Sequence, residues 1–187
     1  FLLAVNKPAG MLVHPTRGVK RGTLTNRLLA HRNPQLTSAE VIPEGGDSTL
    51  WPRFIHRLDR ETSGVILAAK DSASASSLGR ALASGEFSKS YIAILCGSPP
   101  AGRFEVREPI GRHDDAPPHW RVAPEGQAAL SIFEPLAPAE RGLSLWKLQP
   151  VTGRTNQLRI HAAHVGAPIL GDALYGGGTA SRLMLHA

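Results

Sequence analysis

The sequence predicts an α+β fold: a mixed, largely antiparallel central sheet with flanking helices. Apolar runs of strand length outnumber segments with helical spacing. Few of those runs are joined by the long helical crossover that a parallel sheet requires. No tandem repeat of fixed period interrupts this order.

The elements follow in order. Phe1-Leu2-Leu3-Ala4-Val5-Asn6 reads as a strand and Lys7-Pro8-Ala9-Gly10 as the turn that ends it. Thr23 is suited to cap a short helix with Leu24, Leu28 and Leu29 on one face. Residues 31–52, rich in Pro, Gly and Ser, predict a long surface loop, a kind that is often functional. Phe54, Ile55 and Leu58 anchor one strand arm and residues 65–69 a second, with a tight polar turn between them. Asp71 is a good N-cap for a helix to about Ser84, closed by Gly85, with Leu78 and Leu82 at helical spacing. Residues 91–96 form a strand in which Cys96 reads as a small buried hydrophobe. A loop rich in Pro and His covers 111–120, and strands follow at 129–136 and 143–148. The last helix spans 156–165, with Gly166 at its end and Pro168 beyond. Gly176-Gly177-Gly178 marks a flexible turn, since no Gly-Lys-Ser/Thr follows to make a phosphate loop.

Composition narrows the partners. The 187 residues are 42% hydrophobic, enough for a core in one domain or two intimate subdomains. Lys plus Arg number 21 against 15 acids, a net charge of +6 that favours a polyanion without separating RNA from DNA or an acidic membrane. No apolar run approaches the roughly 20 residues of a membrane span. The apolar start is too short for a signal peptide and lacks a cationic lead. The single cysteine excludes an internal disulfide and suggests the cytoplasm. His161 and His164 sit three apart on one predicted helix, and His113 and His119 flank a proline-rich loop. A metal would need further ligands at defined spacing, and no thiolate set is available, so no metal is expected.

The residues most suggestive of chemistry lie at the turn between the two strand arms. Asp59 has Arg57 and Arg60 as near neighbours. A carboxylate held near cations stays ionised, and an ionised, oriented carboxylate acts as nucleophile or base without a cofactor. A bare Arg-x-Asp-Arg reads first as an Asp-capped turn with solvated arginines. The full string His56-Arg57-Leu58-Asp59-Arg60-Glu61-Thr62-Ser63-Gly64, however, resembles the signature of the RluA-type pseudouridine synthases. Three further stretches resemble that family's motifs in the family's order. They are Asn6-Lys7-Pro8-Ala9-Gly10-Met11-Leu12-Val13-His14-Pro15, Ser88-Lys89-Ser90-Tyr91-Ile92-Ala93, and Thr152-Gly153-Arg154-Thr155-Asn156-Gln157-Leu158-Arg159-Ile160-His161 followed by Gly171-Asp172-Ala173-Leu174-Tyr175-Gly176.

The resemblance implies the pseudouridine synthase catalytic fold over 1–187 as a single domain, trimmed at both ends and without the S4-type RNA-binding domain of many relatives. It implies an isomerase that needs no cofactor and acts, as a monomer, on structured ribosomal or transfer RNA. Asp59 falls on the catalytic aspartate, Tyr91 on the active-site tyrosine that stacks near the uracil, and Arg159 on the arginine that pairs with the aspartate. Leu158 helps wall the pocket, and Arg57 takes the stack vacated by a flipped nucleotide. Arg60 and Arg154 face the RNA; Lys89 either reaches a phosphate or is an ordinary solvated lysine. Spacing alone leaves Arg159 two readings, an ion pair or a side chain snorkelling to solvent. Gly153-Arg154-Thr155 follows a strand and opens a helix, where free N–H groups favour an anion.

Two positions depart from the family. Asn156 stands where His is usual, so that site loses any acid–base role near neutrality. Gln127 stands where Lys is frequent, which removes one phosphate contact. Two other functions compete: an RNA-binding module that has lost catalysis, which would lack a complete Asp/Tyr/Arg set, and a glycoside hydrolase, which needs two carboxylates flanking one bond. For the latter Glu61 is too close to Asp59 in sequence, and Asp172 would have to converge from afar.

Overall fold

The computed structural model describes residues 2–32, 53–113, 115 and 117–187, which fall into two compact units, Phe1–Phe87 and Ser88–Ala187. In the first, β1 (Leu2–Lys7) and β2 (Arg53–Phe54) flank β3 (Gly64–Ala69) in an antiparallel sheet. Side chains alternate along β1, so Leu3, Val5 and then Lys7 turn to the covered face. The alternation carries Lys7 into full burial.

Helix α1 (Leu24–Arg32) opens with a reciprocal cap: the Thr23 amide donates to Asn26 Oδ1 (3.1 Å) and the Asn26 amide to Thr23 Oγ1 (3.4 Å). Helix α2 (Ser72–Ala83) is capped as expected by Asp71, whose carboxylate accepts from the Ser74 amide at 2.7 Å, and it packs on β3 and β2. The predicted loop at 31–52 begins with the last turn of α1; its residues 33–52 lie outside the described residues. The first strand arm is shorter than its apolar residues suggest. Ile55 N–H still donates to the Leu67 carbonyl (3.2 Å), but Leu67 N–H then donates to His56 Nε2 (3.1 Å). The imidazole stands in for a backbone carbonyl, which ends the ladder and releases the chain into the turn at Asp59.

The second unit holds a five-stranded antiparallel sheet in the order β10 (Leu185–His186), β4 (Tyr91–Cys96), β9 (Leu143–Pro150), β8 (Ser131–Pro135) and β5 (Phe104–Val106). Its core gathers Phe133, Trp146, Leu95, Leu148 and Ile169, with the Phe104 and Phe133 rings stacked at 5.0 Å. The predicted loop at 111–120 begins and ends in strand: β6 (Ile110–Arg112) and β7 (Trp120–Val122) pair antiparallel. Cys96 is only half-buried, because it shares the outward face of β4 with Ile92 and Ile94 rather than the inward face of Ala93 and Leu95. Helix α3 (Gln157–His164) packs on β7, β8 and β9.

Two buried polar groups tie these units internally. Lys7 donates from Nζ to the carbonyls of Pro8 (3.0 Å), Met11 (2.8 Å) and Arg60 (3.0 Å). Burial pushes its ammonium down to about 8, against the opposing pull of the Glu61 and Asp59 carboxylates. In the second unit, His161 on α3 is fully buried between the Ser131 hydroxyl at Nδ1 (2.9 Å) and the Glu108 carbonyl at Nε2 (2.9 Å). A carbonyl only accepts, so Nε2 carries the proton and Nδ1 accepts from Ser131. The motif histidine thus bonds within the fold, and burial holds it below its usual range.

Both groups give the stability a pH signature. The unfolded chain holds the Lys7 proton more tightly, so wild type should gain stability relative to Lys7→Met as pH rises from 8 to 10.5. The slope is at most about 1.4 kcal/mol per pH unit; a relative loss across that window in denaturant titrations would show that the fold favours the ammonium. The lowered His161 works at the other end: its contribution is present above about pH 6.5 and is lost as the pH falls. Between pH 7.5 and 5.5 the Tm of wild type should therefore drop more than that of His161→Asn, and parallel curves would refute a neutral buried imidazole.

Candidate active site

The turn that carries Asp59 is clasped from two directions. Leu58 is buried beneath it, and the Thr62 amide donates to the Asp59 carbonyl at 3.2 Å. Lys7 Nζ holds the Arg60 carbonyl, while Arg60 Nε donates to the Gly10 carbonyl at 3.2 Å, so residues 7–10 and the Asp59 turn grip each other. Arg60 is exposed and also lies 3.4 Å from Glu61 Oε1. Lys7, which sequence reasoning overlooked, is the cation on which Asp59 and Glu61 act electrostatically. Its signal was present in the period-two alternation of β1 and in the Asn6-Lys7-Pro8 motif. Asp59 itself is half-buried and Arg57 exposed. Burial, and then the charge of Arg57, hold His14 below its usual range; the His14 ring meets Phe54 edge-on at 5.1 Å.

The other candidates belong to the second unit. Tyr91 opens β4 opposite Leu148 and is half-buried against the core. Lys89 brings its ammonium to 3.6 Å from where a β-carbon at Gly153 would stand, so it overhangs the loop that leads into α3. That loop differs from expectation. Asn156 adopts a left-handed backbone (φ 54°), so α3 begins one residue later, at Gln157. The Arg154 amide is not open to an anion: it donates to Gln157 Oε1 at 3.0 Å, and the Arg154 side chain reaches the Ala128 carbonyl at 3.1 Å. Leu158 is buried in the core cluster of this unit.

Arg159 does not snorkel. It is buried and meets a carboxylate within its own unit, that of Asp172, in a two-pronged pair: Nε to Oδ2 at 2.7 Å and Nη2 to Oδ1 at 2.7 Å. Nη1 donates to Asn156 Oδ1 at 3.1 Å, and the guanidinium lies over the Tyr175 ring at 5.1 Å. Asp172 Oδ1 also accepts the amides of Leu174 and Tyr175, both at 3.1 Å. The Tyr175 hydroxyl donates to the Trp120 carbonyl (2.9 Å) and accepts from Asn156 Nδ2 (3.3 Å). Both Asp172 oxygens are thus engaged, which leaves no second carboxylate of the kind a glycoside hydrolase needs at this position. The glycines beyond it close the loop tightly rather than loosely. A β-carbon at Gly177 would stand 1.7 Å from the Ile169 carbonyl oxygen, and the Gly177 amide donates to the Asp172 carbonyl at 2.8 Å. Sequence reasoning noted the motif residues Asp172 and Tyr175 but not that they enclose Arg159. Among the described residues, no group of three or more His, Cys, Asp or Glu side chains is placed to hold a metal ion.

Known proteins are similar to this chain in sequence and in fold. An uncharacterised RNA pseudouridine synthase of Bacillus subtilis (strain 168) is 37% identical over 189 residues, covering 100% of this chain and 59% of its own length. Ribosomal large subunit pseudouridine synthase D of Yersinia pestis is 36% identical over 176 residues, covering 94% of this chain and 50% of its own. The chain thus spans about half to three fifths of these relatives. Among solved structures, human RNA pseudouridylate synthase domain containing 1 superposes on 100% of this chain and 72% of its own, with a TM-score of 0.75 and 29% identity. The family model described as RNA pseudouridylate synthase matches residues 2–164. With that match running through the clasped turn at Asp59 and as far as His164 on α3, the chain belongs to the RNA pseudouridylate synthase family.

Proposed function

We propose that the chain isomerises a chosen uridine in ribosomal or transfer RNA to pseudouridine, with Asp59 as the essential carboxylate. The observation that carries this reading is the family match across residues 2–164, within which Asp59 sits on a turn held by the Lys7–Arg60–Gly10 clasp. The name of the Yersinia pestis relative favours large-subunit ribosomal RNA as the target. The net charge of +6 suits a polyanionic partner, and a lone cysteine suits a cytoplasmic setting.

The reaction breaks N1–C1′, rotates the uracil in place and joins C5 to C1′; C5 gives up its hydrogen and N1 gains one. No electrons or groups are exchanged with a second reactant, so the chemistry itself requires no cofactor. Asp59 either attacks C1′ or removes the 2′ proton. In the family's scheme an arginine partners the aspartate, a tyrosine stacks on the base and a leucine walls the pocket, and we carry these roles to Arg159, Tyr91 and Leu158. A uracil within a helix is unreachable, so the nucleotide flips out and Arg57 fills its place. Arg60, Arg154 and Lys89 follow the phosphates.

RNA carrying tritium at C5 of uridine should release label to water with wild type and none with Asp59→Asn, which keeps the side chain's size but not its charge. RNA binding by that variant should stay within about threefold, since a single carboxylate contributes little to holding a polyanion. Wild-type label release by a variant that still binds would end the central assignment. Affinity should also fall with salt, log K dropping by about 0.7 per log unit for each phosphate contact. Arg154→Ala should flatten that slope by about one contact; a slope near zero in wild type would leave shape as the main determinant of binding.

A further inference from the structure

The feature of the second unit least explained by packing is that its buried arginine arrives already neutralised. Two of the five N–H groups of Arg159 go to Asp172 and one to Asn156, so the guanidinium plane is fixed at two edges, with the Tyr175 ring against its face. Asp172 is held in turn: it is 1% exposed, and its Oδ1 caps the amides of Leu174 and Tyr175. Close backbone approach at Gly177 leaves the loop no room to relax. Asn156 is equally constrained, by its left-handed backbone and by its bond to the Tyr175 hydroxyl. Nothing in the core demands so many polar groups. Well-packed apolar side chains at both 159 and 172 would fill the space without buried charges, and such replacement of a whole pair is often neutral or stabilising.

We infer that Asp172, assisted by Asn156, is a positioning residue for the proposed isomerisation: it aims the Arg159 guanidinium and cancels its charge, so that Arg159 acts through the direction of its N–H groups rather than as a free cation. The inference rests on the reading of Arg159 as an active-site residue. It gives the Gly171-Asp172 and Tyr175-Gly176 pairs of the last motif a common task, and it assigns Asn156 an orienting role in place of a titrating one.

The test uses Asp172→Asn. This variant keeps an oxygen for the Leu174 and Tyr175 amides, and therefore the turn, but turns an amide N–H toward Arg159 Nε. Tritium release under saturating RNA should fall about 10- to 100-fold, as expected for misplacing a group by a fraction of an ångström to one ångström, with KM unchanged within about threefold. Because the guanidinium charge is then uncompensated, the acidic limb of the pH–rate profile should move to lower pH by about half a unit or more. A merely structural Asp172 would lower the Tm without moving that limb. A wild-type rate, or a slower rate with an unmoved limb, overturns the inference alone, provided Arg159→Met is inactive. If Arg159→Met keeps the wild-type rate, the active-site reading of Arg159 falls together with the inference, while the Asp59→Asn result still judges the proposed reaction separately. Should Asp172→Asn fail to fold, Asn156→Gly carries the test. Glycine suits φ 54° and deletes only the Nη1 acceptor and the bond to Tyr175. It should lower the rate about fivefold at unchanged KM, the modest end of a small misplacement; an unchanged rate overturns the inference.

Discussion

The second unit is organised around a charge it could not otherwise bury. Arg159 lies on α3, inside a hydrophobic unit, and a buried guanidinium without a partner would be costly by several kcal/mol. Asp172 meets it with both oxygens at 2.7 Å. That requirement propagates outward: the carboxylate must cap its own turn, the turn must close through Gly171 and Gly177, and Tyr175 must lie against the guanidinium with its hydroxyl anchored on the Trp120 carbonyl in β7. One ion pair therefore sets α3, the loop that follows it and the β6–β7 hairpin in register with one another. Removing either partner alone would cost about 3–5 kcal/mol, because the other is left buried and charged.

The first unit solves a similar problem differently. Lys7 is fully buried with backbone carbonyls rather than a carboxylate as its hydrogen-bond partners, and one of the three belongs to Arg60, next to Asp59. Carbonyls satisfy the ammonium donors without neutralising its charge, so the nearby carboxylates of Asp59 and Glu61 still feel a cation. His56 contributes a third device, an imidazole nitrogen that accepts the Leu67 amide where the sheet would use a carbonyl. Together these fix where β2 ends and where the turn begins. A strand that continued through Leu58 would draw the Asp59 backbone into the ladder.

Family membership and site geometry meet in the motifs. Three of the four stretches that resemble the RluA-type synthases hold polar residues consumed inside the fold: Lys7 in the first, His56 in the second, Asp172 and His161 in the last. Other residues of the same stretches, Arg57, Arg60 and Arg154, remain exposed. In the proposed reaction the exposed set meets RNA, and the buried set keeps the reacting groups in place. The departures at Asn156 and Gln127 are accommodated in the same terms: Asn156 bonds Arg159 and Tyr175, and Gln127 bridges to Ile110 through its backbone while its side chain stays exposed.

What the sequence determined by itself were the local matters, because they depend on neighbours in the chain. Thr23 and Asp71 as helix caps, a strand before the Lys7–Gly10 turn, the strands beginning at Tyr91 and Leu143, the antiparallel pairing and the tight turn at Asp59 all follow from propensity, spacing and turn chemistry. The short strands β5, β6 and β7 carried too few residues to show a period. Cys96 looked buried because an apolar run says nothing about which face of a strand is covered. Charge partners were beyond local reach. Sequence spacing placed Arg57 and Arg60 beside Asp59 and left Arg159 without a visible partner, whereas tertiary structure brought Lys7 up from β1 and folded Asp172 back onto α3. An ion pair is decided by distance and burial, and those exist only once the chain has closed its loops.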